Sequence, residues 1–274
     1  MGIFECIPNV SEGRDAAAVD ACAHAIERAG VTLAHRTSDA VHNRSVFTFF
    51  GTHAQVADAA LALATVTTER IDLRTQRGAH PRIGALDVLP FVPFGDATPD
   101  DARALATSVA ERIWEALGVP SYLYGDAATV PERRLLANVR AGQFEGLSGR
   151  ADAPDVGTHP HPSAGAIATG VRAPLVAFNI VLDTDDIALA RTIARRLRER
   201  DGGLRTLRAL GIALDDGRVQ VSCNLTDPEA TPLDRVVALA RVHATRAGVA
   251  VAGTELIGLV PRSAVAAVVA RHFG

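Results

Sequence analysis

The sequence predicts an α+β protein made of two ferredoxin-like (split βαβ) subdomains with stacked sheets. Three observations lead there. The order β-α-β-β-α-β can be read twice along the 274 residues. The segment LVAFNIVLD (175–183) is apolar on both faces, which favours one sheet packed on another and makes the crevice between them the default ligand site. The chain is 48% hydrophobic and 22% charged, enough to fill a core, which excludes a disordered tail, a collagen-like repeat and a disulfide-stapled miniprotein.

The second half is the easier to read. After the strand at 175–183, residues 185–200 form a helix with acids first, an apolar stripe through Ile187, Ala190, Ile193, Ala194 and Leu197, and arginines last. Strands near 206–214 and 218–225 are joined by Asp216-Gly217, a hairpin signal. A helix starts at Thr231-Pro232, with Thr as cap and Pro as first residue. A strand at 249–257 and a helix after Pro261 close the chain. The first half repeats the order: strand 3–7, helix 15–29, strands 31–38 and 44–51, helix 53–72 and strand 86–92. Helix 99–117, strand 119–124 and a helix from Pro131 to Ala141 are additions. The Gly- and Pro-rich stretch 142–174 is read as lying between or alongside the two units.

With 28 basic and 31 acidic residues the net charge is -3, so no global field draws the protein to nucleic acid or to a membrane surface. All 28 bases are arginine, and the absence of lysine excludes Schiff-base catalysis. Cys6, Cys22 and Cys223 are far apart and odd in number, which points to reduced thiols and a cytoplasmic protein. The start MGIFECIPNVSEGR has neither a signal-peptide core nor a myristoylation pattern, and no run approaches the ~20 apolar residues of a membrane span.

Four segments hold more polar residues and glycine than connections require. Residues 8–14 read as a strand-to-helix turn capped by Asn9 or Ser11. Residues 39–45 read as a polar hairpin loop. In 77–87, His80 stands between arginines before a very apolar strand, and Pro81 restricts its backbone; a base with anion-holding neighbours suits that pattern. Residues 154–172 are too broken by Pro and Gly for a regular element, and a long ordered loop is usually functional. His159 and His161 have no ligand-spaced partner, so no metal is expected.

At these segments the chain resembles the glutamate formiminotransferase family, the formimidoyltransferase part of formiminotransferase-cyclodeaminase. The matching stretches include ECIPNVSEGR (5–14), NRSVFTFFG (43–51), GAHPRIGALDVLPFVP (78–93), LGVPSYLYGDAA (117–128), GAIATGVRAPLVAFNIVL (165–182) and GTELIGLVP (253–261). The resemblance implies transfer of a formimino group from N-formimino-L-glutamate to N5 of tetrahydrofolate, within histidine degradation. Tetrahydrofolate is then a co-substrate held in a tunnel between subdomains 1–174 and 175–274 of a homodimer. It puts the catalytic histidine on His80, an acid on Asp39, and the folate loop on Gly157, Thr158, His159, Pro160, His161, Pro162, Ser163, Ala164 and Gly165. Animal members carry Trp where Ala164 stands. No cyclodeaminase domain follows Gly274, so the product is expected either to be released or to be passed to a separate cyclodeaminase.

The chemistry is amidine exchange. One histidine near its ordinary pKa of ~6.5 can take the N5 proton and return one to the leaving nitrogen. His80 is expected in that role, with Asp39 orienting it or stabilising cationic character. Arg44, Arg82 and Arg172 lie in the matching motifs and are candidates for gripping substrate carboxylates, with structural ion pairs as the alternative. The alternative functions are transfer of a formyl group, transfer from another formimino donor, and folate binding without catalysis.

Overall fold

The computed structural model describes residues 2–273. The chain divides into two units, Met1–Arg172 and Ala173–Gly274.

In the first unit, β1 (Ile3–Cys6) and β2 (Asn9–Val10) are two pieces of one line. Both pair with β4 (Arg44–Thr52) on one side and β5 (Leu86–Phe94) on the other. The line breaks at Ile7-Pro8, because proline has no N–H to give the ladder. Beyond β4 lies β3 (Thr32–Asp39). Beyond β5 lie β7 (Ile167–Val171) and then β6 (Ser121–Gly125), both parallel. In space the order is β3, β4, the β1/β2 line, β5, β7, β6, antiparallel as far as β5.

Helices α1 (Ala16–Arg28), α2 (His53–Arg70) and α3 (Pro99–Leu117) share the main core with this sheet. Ile26, Leu63 and Leu105 meet Phe47, Phe49 and Phe91 in that core. The helix starts are well specified: Thr52 with Gln55, and Thr98 with Asp101, form capping boxes. A second cluster joins Val88, Tyr122, Tyr124 and Ala168 to Val139 and Leu147. Val139 belongs to the single turn α4 (Leu136–Val139), and Leu147 follows the single turn α5 (Gln143–Gly146).

The second unit runs β8 (Val176–Leu182), α6 (Ile187–Leu197), β9 (Leu207–Ala213), β10 (Val219–Leu225), α7 (Leu233–Arg246), β11 (Val251–Ile257) and α8 (Arg262–Phe273). Its four strands are antiparallel in the order β11, β8, β10, β9. Ile193 and Leu197 of α6 and Val236 of α7 bury against Phe178, Ile180 and Val221.

Three expectations are corrected. The helix expected from Pro131 to Ala141 is a 3-10 turn at Pro131–Arg134 and the separate turn α4, because Leu135 is extended. The stretch 142–174 contains β7, a buried strand between β5 and β6; its Gly170 is needed because the Tyr124 ring occupies the place of a Cβ. The caps also differ. Asp15 caps α1 by accepting from the amides of Ala17 and Ala18, while Asn9 lies in β2 and Ser11 donates to the Gly84 carbonyl. The N-cap of α7 is Pro232, and the Thr231 hydroxyl donates to the Arg205 carbonyl.

Two glycines of the first unit separate strain from collision. Gly95 (φ 61°) has open space where a methyl would project, whereas a methyl on Gly165 (φ 74°) would strike the Ile83 carbonyl oxygen. Gly95→Ala should cost about 1–2 kcal/mol, the left-handed penalty alone. Gly165→Ala should cost a further ~1–3 kcal/mol of overpacking. Trp114, the one tryptophan, lies in the first unit, so its fluorescence during urea unfolding reads both variants. Equal losses would refute the collision.

Candidate active site

The centre of the polar network is Asp87, in β5, with no solvent exposure. Its Oδ2 accepts from Arg44 Nη1 at 2.8 Å and Arg140 Nη2 at 2.6 Å, and its Oδ1 accepts from the Ile83 amide at 2.7 Å. Burial alone would raise this carboxyl, but the guanidinium groups of Arg140 and Arg44 and the Ile83 N–H win and hold it at about 2. Arg44 also donates from Nε and Nη2 to Asn9 Oδ1, at 3.1 and 3.0 Å. Burial and the charge of Arg140 lower Arg44 to about 10, so it stays charged at neutral pH.

The segment 78–85 is laced down beside this cluster. Ala79 donates to Val41, Ser11 to Ala85, Ala85 to Ala164 and Ala166 to Ile83. Gly78 and Gly84 are required, because a Cβ would strike the carbonyl oxygens of His42 and Ala166. On this segment the half-buried His80 has Nδ1 at 2.8 Å from the Pro81 carbonyl. A carbonyl only accepts, so Nδ1 carries the proton and Nε2 holds the free lone pair. Burial, then the charges of Arg44 and Arg140, lower His80 to about 3. This corrects the expectation of an ordinary histidine pKa: His80 is a neutral base with one defined basic nitrogen, and its protonated form is disfavoured.

Asp39 does not reach His80 through any hydrogen bond here. Its carboxylate takes the His42 backbone N–H at 2.9 Å and sits 2.7 Å from His42 Nδ1. Burial opposes its charge, but these bonds from His42 prevail and lower its pKa. The His42 ring stands edge-on to the His80 ring, with centroids 6.2 Å apart. Its Nε2 is buried without a partner.

The arginines divide. Arg44 is committed to Asp87 and Asn9. Arg82 grips Glu145 with both terminal nitrogens, at 2.9 and 3.1 Å, and also donates to the Gln76 carbonyl. Both therefore bond groups of the chain itself. Arg172 is half-exposed, bonds the Tyr124 hydroxyl and lends its charge to Glu5.

The loop 157–165 lies alongside the His80 segment. Gly165 bridges both Gly84 and His161, and Ser163 accepts from the Leu73 amide at 2.9 Å. His161 Nδ1 accepts from the amides of Ala164 and Ser163, at 3.0 and 3.3 Å, while His159 stands edge-on to Trp114. The two imidazoles thus have separate partners, and no group of three or more His, Cys, Asp or Glu is placed to hold a metal among the described residues.

Sequence reading missed Asp87, Arg140, Glu12 and Gln76. Glu12 accepts from the amides of Arg14 and Asp15 and, at 2.5 Å, from Gln76 Nε2. Asp87 had one signal, a carboxylate inside an otherwise apolar strand run. Arg140 lies 53 residues from its partner and had none.

Comparison with known proteins identifies the family of the chain. The formiminotransferase domain, N-terminal subdomain, matches residues 3–172, and the formiminotransferase domain matches 177–273. The chain belongs to the formiminotransferase family. It is 46% identical over 269 residues to a glutamate formimidoyltransferase of Streptococcus pyogenes serotype M1, covering 96% of this chain and 90% of that one. A glutamate formimidoyltransferase of Thermoplasma acidophilum is 39% identical, with the same coverage. The formimidoyltransferase-cyclodeaminase of Rattus norvegicus is also 39% identical, and the match spans 51% of its length.

Two outcomes follow from the buried charges. Asp87→Asn leaves Arg44 and Arg140 without a counter-charge, and breaking a buried pair in this way should cost about 3–5 kcal/mol in urea unfolding. A loss below 1 kcal/mol would contradict the hub role. Second, His80 is held at about 3 in the folded state, against ~6.5 unfolded. Between these values the unfolded chain binds the proton and the folded one does not, so stability falls as pH drops from about 6.5 towards 3. Asp87, at about 2 against ~3.9 unfolded, loses its contribution only below pH ~4. His80→Gln should therefore flatten the stability curve between pH 6.5 and 4; an unchanged slope there would contradict the depressed pKa.

Proposed function

We propose that this protein transfers the formimino group from N-formimino-L-glutamate to N5 of tetrahydrofolate, giving 5-formiminotetrahydrofolate and glutamate. The observation that carries the reading is the match, along nearly the whole of both chains, to a relative named for this activity. The neutral His80, with its lone pair defined on Nε2, supports it chemically. N5 attacks the formimino carbon, His80 Nε2 takes the N5 proton, and the glutamate nitrogen leaves with a proton. Tetrahydrofolate is a co-substrate, and no metal takes part.

The loop 157–165 is the folate loop in this reading, supported by its ladder to the His80 segment. Arg172 holds a substrate carboxylate. The finer fold reading belongs here as well. Each unit has the strand order of a split βαβ motif, with two strands added to the first, which supports ferredoxin-like subdomains joined near Pro174. Stacked sheets with a ligand tunnel, a homodimer, a cytoplasmic setting, a role in histidine degradation and a separate cyclodeaminase partner complete the proposal.

The test is incubation with tetrahydrofolate and either formiminoglutamate or formylglutamate, with the product read by absorbance after acid conversion to the methenyl form. Product from formiminoglutamate is expected, and product from formylglutamate alone would replace the donor. His80→Ala should lower kcat by about 10²–10⁴, the usual contribution of a positioned base, with tetrahydrofolate binding little changed. Near-normal kcat in that variant would remove His80 from the chemistry.

A further inference from the structure

We propose that the Asp39–His42 pair is a proton relay behind His80, storing the N5 proton between its removal and its delivery to the leaving nitrogen. The inference rests on the transfer reaction proposed above and adds a residue to it.

Amidine exchange needs one proton removed and one supplied. His80 offers its Nε2 lone pair but has surroundings hostile to its cation, since burial disfavours the charge and Arg44 and Arg140 add their positive charge to it. A group beside it that tolerates a positive charge solves this problem, and His42 has that geometry. Its Nδ1 lies 2.7 Å from the Asp39 carboxylate, so Nδ1 is the protonated nitrogen and Nε2 is the free one. That Nε2 is buried and unpartnered, an arrangement that is costly when nothing fills it. The ring beside it is His80, at 6.2 Å between centroids. A direct hydrogen bond between two ring nitrogens brings centroids to about 5 Å, so closure needs a shift of about 1 Å. Arg14 gives its guanidinium to the carbonyls of Ala40 and Arg77, at 2.8 Å each, and Arg77 bonds those of Gln76 and Arg74.

The steps balance without a redox partner. N5 bonds to the amidinium carbon as the C=N π pair moves to the imino nitrogen, and His80 Nε2 takes the N5 proton. His80 passes that proton to His42 Nε2, where Asp39 offsets the charge. The proton returns through His80 to the glutamate nitrogen as its bond to carbon breaks and the imino lone pair re-forms the C=N bond. One proton has moved from N5 to the glutamate nitrogen. His42 acts through His80 and is a positioning residue in the sense that it never touches the reacting carbon.

The experiment measures His42→Asn and Asp39→Asn with both substrates. A loss of about 10²-fold in kcat is expected, with both KM values within a few-fold of wild type. Added imidazole buffer should restore His42→Asn in a saturable manner, because a diffusible base and acid can replace a relay but cannot repair a fold. Normal kcat in His42→Asn would overturn the proposal, and so would a loss that imidazole leaves untouched. Should His42→Asn fail to fold, Asp39→Asn decides: unchanged kcat overturns the relay, and a kcat loss at constant KM supports it. An inactive wild type would instead refute the transfer reaction itself.

Discussion

One buried carboxylate organises the first unit. Asp87 is drawn on by Arg44 from the start of β4, by Arg140 from the turn after α4, and by the Ile83 amide of the segment that carries His80. Two positive charges on one negative leave a net positive interior. Such a cluster gains little for stability over an apolar replacement, since desolvation absorbs most of the attraction. What it achieves is position: three segments distant in sequence are tied to one atom pair with directional bonds. The surplus charge then adds to burial in disfavouring the cation of the His80 ring.

Burial, and then that surplus, explain the state of His80. A histidine left in water titrates near neutrality and exchanges tautomers. Here the Pro81 carbonyl selects the tautomer, and burial together with the arginines suppresses the cation. The result is a base in one protonation state with one available nitrogen. The same field makes a free imidazolium costly, so it favours release of the proton to the leaving nitrogen and opposes its capture from N5. An ionised Asp39 on the far side of His42 supplies a negative charge facing that region.

Much of the fold was legible because its elements are locally consistent. The α3 helix, expected at 99–117, has Thr98-Pro99 at its start and Gly118 in the left-handed conformation at its end. The hairpin at Asp216-Gly217 was equally plain, with Gly217 at φ 83°. Strand β7 was hidden because IATGV is short, small and set among glycines. Its place between β5 and β6 comes from partners that no local pattern announces. The site divides in the same way. His80 and the loop 157–165 stood out by composition and by motif. The occupation of Arg44 and Arg82 could not be read, because Asp87 and Glu145 lie 43 and 63 residues away and only the fold brings them into contact.

Strand β7 links these observations. It runs from Ile167 to Val171, so the loop before it must leave from the edge where β5 begins at Leu86. The residues preceding both strands are therefore forced side by side, and Gly84 pairs with Gly165 there. Each of these glycines is held against the other segment's backbone, where a side chain would collide with Ala166 or Ile83. The His80 segment and the loop 157–165 thus form one rigid pair, although about 80 residues of chain separate them. The nitrogen of His80 is placed by the parallel pairing of β5 and β7 as much as by its own neighbours in sequence.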